Sequence, residues 1–159
     1  MMNAIIERFV GDKNIALIGV SANKQKFGNA LLHELTKKGY TVYPVHPTLA
    51  EVENIKCYPD VKTLPCQVTN LILVVNPLIA EQVIPQLKDS PIQRVWMHRG
   101  AGKGTGSVAA IEACKNAGLE VVHGFCPMMF FAPSGIHSLH FWMRRKFGKV
   151  PSEFSLSHS

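Results

Sequence analysis

The chain has 159 residues, 47% of them hydrophobic, with 17 lysines and arginines against 11 acidic residues and a formal charge of +6. A length of this order fits one domain with its own core, and no apolar run approaches the roughly 18 residues that a membrane span requires. Cys57, Cys66, Cys114 and Cys126 show no CxxC spacing and no secretory signal precedes the first apolar run, which argues for reduced thiols and a cytoplasmic protein rather than a disulfide scaffold.

Residues before Gly11 read as a short helix through Ile5, Ile6 and Phe9, packed outside the domain. Ile15 to Ile18 is a continuous apolar run of the kind buried in a parallel sheet, and it breaks at Gly19 before a helix that opens near Phe27. A glycine there lets the backbone turn sharply. The first N–H groups of the following helix have no partner within it, so the entrance suits an anion. Ser21 adds a hydroxyl and Lys26 a charge. Phe27, Leu31 and Leu35 share one face of this helix, and Gly39 stands where a left-handed cap is expected.

Thr41 to Val45, Leu71 to Val75, Arg94 to His98 and Glu120 to His123 are four further strand candidates. Between them, Ile79, Val83 and Leu87, then Ala110, Cys114 and Ala117, recur at helical spacing, and Gly118 is a second expected cap. Pro77 is placed to start the first of these helices and Ser107 to cap the second. Beyond Pro133, an amphipathic helix from about Ile136 to Phe147 and a polar tail are expected. The alternation predicts α/β architecture: a single doubly wound, five-stranded parallel sheet of Rossmann-like type over residues 1–135, with 136–159 as a C-terminal helix and tail of the same domain. Ligands bind such sheets at the carboxyl ends of the strands, near the topological switch point.

A nicotinamide dinucleotide is the first ligand to test on this fold. The first loop lacks GxGxxG, and the second strand ends Val45-His46-Pro47, where a carboxylate for the ribose hydroxyls would stand; Glu51 and Glu53 come too late.

In order along the chain come Gly19-Val20-Ser21, Lys26-Phe27-Gly28-Asn29, Tyr43-Pro44-Val45-His46-Pro47, Cys57-Tyr58-Pro59, Val75-Asn76-Pro77, Trp96-Met97-His98-Arg99-Gly100 and Cys126-Pro127. This succession, over roughly residues 5 to 130, resembles the coenzyme A-binding domain that occurs as a small free-standing protein in bacteria and fused into acyl-CoA synthetases, including the succinyl-CoA synthetase α subunit. The resemblance implies a pyrophosphate at Gly19, Val20 and Ser21 with Lys26, Phe27 and Gly28 opening the helix above it. It implies adenosine beside Val45, His46 and Pro47, a cleft wall at Val75, Asn76 and Pro77, and the pantetheine arm near His98, Arg99 and Gly100. His46 stands where the family more usually has asparagine, and His98 where it often has glutamine. An imidazole can donate one hydrogen bond and accept another, so His98 reads either as a surviving pantetheine contact or as a histidine satisfied at the sheet edge.

Gly100 to Ser107 is glycine-rich, but Gly104 follows Lys103 where a Walker loop needs Ser or Thr, so it reads either as a basic ligand-touching loop or as a mobile connection. His123, Cys126, His137 and His140 match no zinc spacing, and no metal is assigned. Cys126 has no base fixed beside it by sequence. No catalytic residue is assigned, because no nucleophile, base and activating partner can be identified together. The chain is also expected to be too short for the ATP-grasp and phosphohistidine segments of the synthetase relatives.

The expected function is therefore binding of coenzyme A or acyl-CoA without catalysis. Two alternatives stay open: a nicotinamide- or other nucleotide-dependent enzyme or redox sensor on the same fold, and a nucleic-acid or protein-binding module built on the basic C-terminal helix. Leu139, Trp142, Met143 and Phe147 on that helix could mediate a homo-oligomer or partner contact, with Arg144, Arg145 and Lys146 beside them. A membrane partner is not expected, and nucleic acid is disfavoured.

Overall fold

The computed structural model describes residues 2–98 and 104–131. The expected C-terminal helix, with its basic and aromatic side chains, lies outside them, as do Arg99 and Gly100. A helix α1 (Met2–Gly11) precedes strand β1 (Asn14–Ile18), helix α2 (Phe27–Lys37) and strand β2 (Thr41–Val45). A small hairpin follows, β3 (Glu51–Val52) and β4 (Ile55–Lys56). Then come β5 (Asn70–Leu73), α3 (Pro77–Val83), β6 (Arg94–Met97), α4 (Val108–Asn116) and β7 (Glu120–His123). All five expected strands are present, in a sheet ordered β2-β1-β5-β6-β7 with every pairing parallel. Chain order reverses between β1 and β5, so the switch point lies beside the glycine loop.

Two cores follow from the two faces of the sheet. Ile15, Leu17, Ile72, Trp96 and Val122 face α1 and α2, where Ile6, Phe9, Leu31 and Leu35 meet them. Ala16, Leu71, Leu73, Val95 and Val121 face the other way, toward Ala80, Ala110 and Cys114 of α3 and α4. Trp96 is fully buried, with Phe9, Phe130 and Phe131 around it at 5.4, 5.5 and 5.6 Å between ring centroids. Its indole N–H donates to the Phe125 carbonyl, so the ring's one polar atom is satisfied.

Gly39 and Gly118 cap their helices at φ +86° and +75°, as expected. The helix after β5 differs from its expected periodicity. Ile79 is 41% exposed, whereas Leu87 is buried and Val83 packs against the core as expected, with Ala80 and Ile84 completing the inward side. Pro77 sets the first helical position, and Pro85, which has no N–H to donate, converts the segment from Ile84 to Asp89 into a 3₁₀ helix. Ala117 is likewise exposed rather than facing the sheet, because the helix closes before it. The hairpin was not expected; its turn places Glu53 and Asn54 at φ +50° and +65°, a conformation that Asn tolerates but that gave no Asn-Gly signal.

Polar groups gather at the opposite, amino end of the sheet. Arg94 donates to Asn70 Oδ1 at 2.5 Å and to Thr69 Oγ1 at 3.2 Å, with Asp12 and Glu120 within 4 Å. Arg8 pairs with Glu120. These charges compensate one another at the end of the sheet away from the loops that follow the strands.

Candidate functional site

The first loop is built around close backbone approach. Gly19 has φ +128°, and a Cβ there would lie 2.3 Å from the Val74 carbonyl oxygen. A Cβ on Gly28 would lie 2.0 Å from the Gly19 carbonyl oxygen. Only two glycines let the start of α2 sit directly on the end of β1, with β5 alongside. Lys26 is an extended N-cap whose side chain makes no capping bond. The N–H groups of Asn29 and Ala30 reach the Lys26 carbonyl, whereas those of Phe27 and Gly28 lie ahead of the helical ladder. The helix therefore presents donors and partial positive charge at the switch point.

Asn29 holds this loop in shape. It is 1% exposed; its Oδ1 accepts from the Ser21 N–H at 2.8 Å and its Nδ2 donates to the Ser21 carbonyl at 2.7 Å. The Ser21 hydroxyl oxygen accepts from the Asn23 N–H at 3.1 Å, which leaves its O–H free to donate. Ser21 thus offers a ligand its hydroxyl hydrogen but not its amide. Val20 and Val45 are 5% and 7% exposed and point into the cores, so their contribution to a cleft is limited to backbone.

At the end of β2, His46 Nδ1 accepts from the N–H groups of Thr48 and Leu49 at 3.2 and 3.1 Å. The imidazole thus closes the turn as an asparagine oxygen would. At the end of β5, Asn76 caps α3 by accepting from the Ile79 N–H at 3.0 Å, with Pro77 following.

At the end of β6, the His98 ring stacks on Phe27 with centroids 4.3 Å apart and planes 20° from parallel. This contact spans the switch point and joins two of the expected site segments. Among the described residues His98 Nδ1 is buried without a hydrogen-bond partner, so the ring is not satisfied at the sheet edge by them. The last part of the glycine-rich loop is latched rather than free. Thr105, 1% exposed, accepts at its hydroxyl from the Val75 N–H at 3.1 Å and lies 2.6 Å from the Val75 carbonyl oxygen and 3.0 Å from that of Leu73. Ser107 caps α4 as expected and donates to Glu81 Oε1 at 2.6 Å.

Burial holds the His98 imidazole below its ordinary value of 6.5. His123 shifts the same way, by burial first and by Lys115 second. A folded-state value below the unfolded one means that the unfolded chain takes up protons first. This contribution to stability is therefore full above about pH 6.5 and declines as pH falls below it. Urea midpoints measured from about pH 7 to about pH 5 should fall, and His98→Gln, which cannot titrate, should remove part of that slope.

Among the described residues no group of three His, Cys, Asp or Glu side chains could hold a metal, and no helix is long and apolar enough to cross a membrane. Of the expected site residues, the loops bearing Gly19 to Ser21, His46 and Pro47, Val75 to Pro77, and His98 all lie along the carboxyl edge of adjacent strands. Asn29, Thr105 and the Phe27–His98 contact were not expected. Asn29 is visible only as part of the Lys26-Phe27-Gly28-Asn29 string, and nothing in sequence marks Thr105.

A five-stranded parallel sheet with a glycine-pinched helix N-terminus at its switch point is a Rossmann-like α/β architecture. The sequence matches the CoA binding domain family over residues 13–132, and the chain belongs to that family. It is 28% identical over 115 residues to the ADP-forming acetate–CoA ligase I of Archaeoglobus fulgidus, covering 72% of this chain but only 15% of the ligase. Among solved structures, it resembles a conserved hypothetical protein from Pyrococcus furiosus, with 35% identity, a TM-score of 0.66, and coverage of 73% of this chain and 97% of that one. It also resembles the dinucleotide-forming acetyl-coenzyme A synthetase 1 of Ca. Korarchaeum cryptofilum, with 25% identity, a TM-score of 0.64, and coverage of 74% and 27%. The chain thus spans a minor part of the ligases and most of the small protein.

Proposed function

We propose that this protein binds coenzyme A or an acyl-CoA at the carboxyl edge of the sheet and catalyses no reaction of its own. The observation that carries the reading is the contact of Gly28 with Gly19, which brings the open N-terminus of α2 onto the end of β1. Two N–H donors at the start of α2 and the Ser21 O–H on the adjoining loop are then the groups available to a pyrophosphate. In this reading Gly19 to Ser21 and Lys26 to Gly28 hold the diphosphate, Val45 to Pro47 flank the adenosine, and Val75 to Pro77 with His98, Arg99 and Gly100 line the path of the pantetheine arm. The residues fit that group: the loop proposed for the phosphates carries hydrogen-bond donors, and the end of β2 carries an imidazole instead of a carboxylate. Coenzyme A would supply its thiol as an acyl carrier; the chain's own residues bind and orient it. The assigned site residues do not supply a nucleophile with an adjacent base. The setting proposed for this binding is the cytoplasm.

The test is thermal unfolding with coenzyme A and acetyl-CoA, beside NAD, NADP and ATP. At one hundred times its dissociation constant a ligand adds about 2.7 kcal/mol of stability, several degrees in a domain of this size. Ser21→Glu, which sets a carboxylate against the diphosphate, should abolish the shift while the unliganded protein melts within a few degrees of the parent. No shift with either coenzyme A species would overturn the reading.

A further inference from the structure

The turn after β2 fixes the chemistry that His46 offers. Two backbone N–H groups, of Thr48 and Leu49, point at Nδ1 from 3.2 and 3.1 Å, and the Thr48 hydroxyl lies 3.4 Å from it. A ring nitrogen that accepts from two amides carries no hydrogen, so in the neutral imidazole the hydrogen is on Nε2. Among the described residues Nε2 has no hydrogen-bond partner, while the ring as a whole is half-buried. The strand end therefore presents one oriented, unused donor. A dinucleotide site that grips a ribose diol needs an acceptor there, usually a carboxylate. The nearest acidic residues along the chain, Glu51 and Glu53, belong to the hairpin.

We propose that His46 is the specificity-determining residue for a phosphate on the nucleotide's ribose, its Nε2–H donating to a phosphate oxygen, so that the site selects ribose-phosphorylated nucleotides over those with a free ribose diol. The inference rests on a nucleotide lying at the carboxyl edge, as proposed above. A bond from a neutral donor to a phosphate oxygen is charge-assisted and stronger than a neutral pair. The phosphate could be that of coenzyme A or that of NADP, and the two are separated by the choice of probes.

Titration calorimetry on the full chain would compare coenzyme A with 3′-dephospho-coenzyme A, and NADP with NAD. The parent should favour the phosphorylated member of one pair by about tenfold or more, the scale of one hydrogen bond to a charged group. His46→Asp keeps an acceptor for the Thr48 and Leu49 N–H groups but replaces the donor with a negative charge, so the preference should vanish or invert. His46→Asn keeps the turn without adding charge and should reduce the preference by several-fold, which serves if the aspartate variant folds poorly. The preference appearing in the NADP pair alone would support His46 as the reader while overturning the coenzyme A reading. Equal binding of both members of each pair by the parent, or a preference unchanged in both variants, would overturn the proposal and leave coenzyme A binding standing.

Discussion

Gly28→Ala is expected to destabilise the fold by about 3 kcal/mol or to prevent folding, and to abolish ligand binding in whatever folds. The added methyl would stand 2.0 Å from the Gly19 carbonyl oxygen. Backbone on both sides leaves no side chain to swing away, so relief requires α2 to move off β1. That motion withdraws the Phe27 and Gly28 N–H groups from the switch point and parts Phe27 from His98. Gly19→Ala meets the Val74 carbonyl at 2.3 Å and adds the strain of φ +128°. Two other glycines calibrate the effect. Gly39 has φ +86° with nothing within 4 Å, so its alanine variant should cost only the about 1 to 2 kcal/mol of a left-handed residue. Gly11 has neither constraint, and its alanine variant should fall within about 0.5 kcal/mol of the parent. Urea denaturation of the four variants checks the order. Equal stability of Gly28→Ala and Gly11→Ala would contradict the packing of α2 on the loop.

Asn29→Ala should cost about 2 to 3 kcal/mol and weaken coenzyme A binding by about tenfold or more. The side chain satisfies both the N–H and the carbonyl of Ser21 from a buried position. Its removal strips two hydrogen bonds from the loop and creates a small void beneath it. The loop would then have to be ordered by the ligand, and that cost subtracts from affinity. Chemical denaturation and calorimetry on the same preparation separate the two effects. Lost stability with unchanged affinity would make Asn29 a structural residue only.

The strands were legible because buried parallel strands need unbroken apolar runs, and Ile15 to Ile18 and Leu71 to Leu73 are such runs between helices of period 3.6. Caps were legible for a similar reason: Gly39, Gly118 and Ser107 each answer a local backbone need that few residue types meet. The register of the helix after β5 was less so. Its apolar residues fit two stripes, and Pro85 decided between them by ending the regular helix. The hairpin of β3 and β4 had only four strand residues and no glycine turn to mark it.

At the site, the segments were legible and their contacts were not. Sequence by itself determined the α/β order, the glycine entrance after β1, the absence of a carboxylate from the end of β2, and the string of motifs shared with the CoA-binding family. All of these are properties of residues near one another along the chain. Tertiary structure alone decided that Asn29 clamps Ser21, that Phe27 stacks on His98, that Thr105 ties the last glycine loop to β5, and that His46 uses Nδ1 for the turn and keeps Nε2 in reserve. Apart from the His46 turn, these contacts join residues from 8 to 71 positions apart. Their partners are set by sheet order, by the close approach that two glycines permit, and by hydrogen-bond geometry within the folded chain.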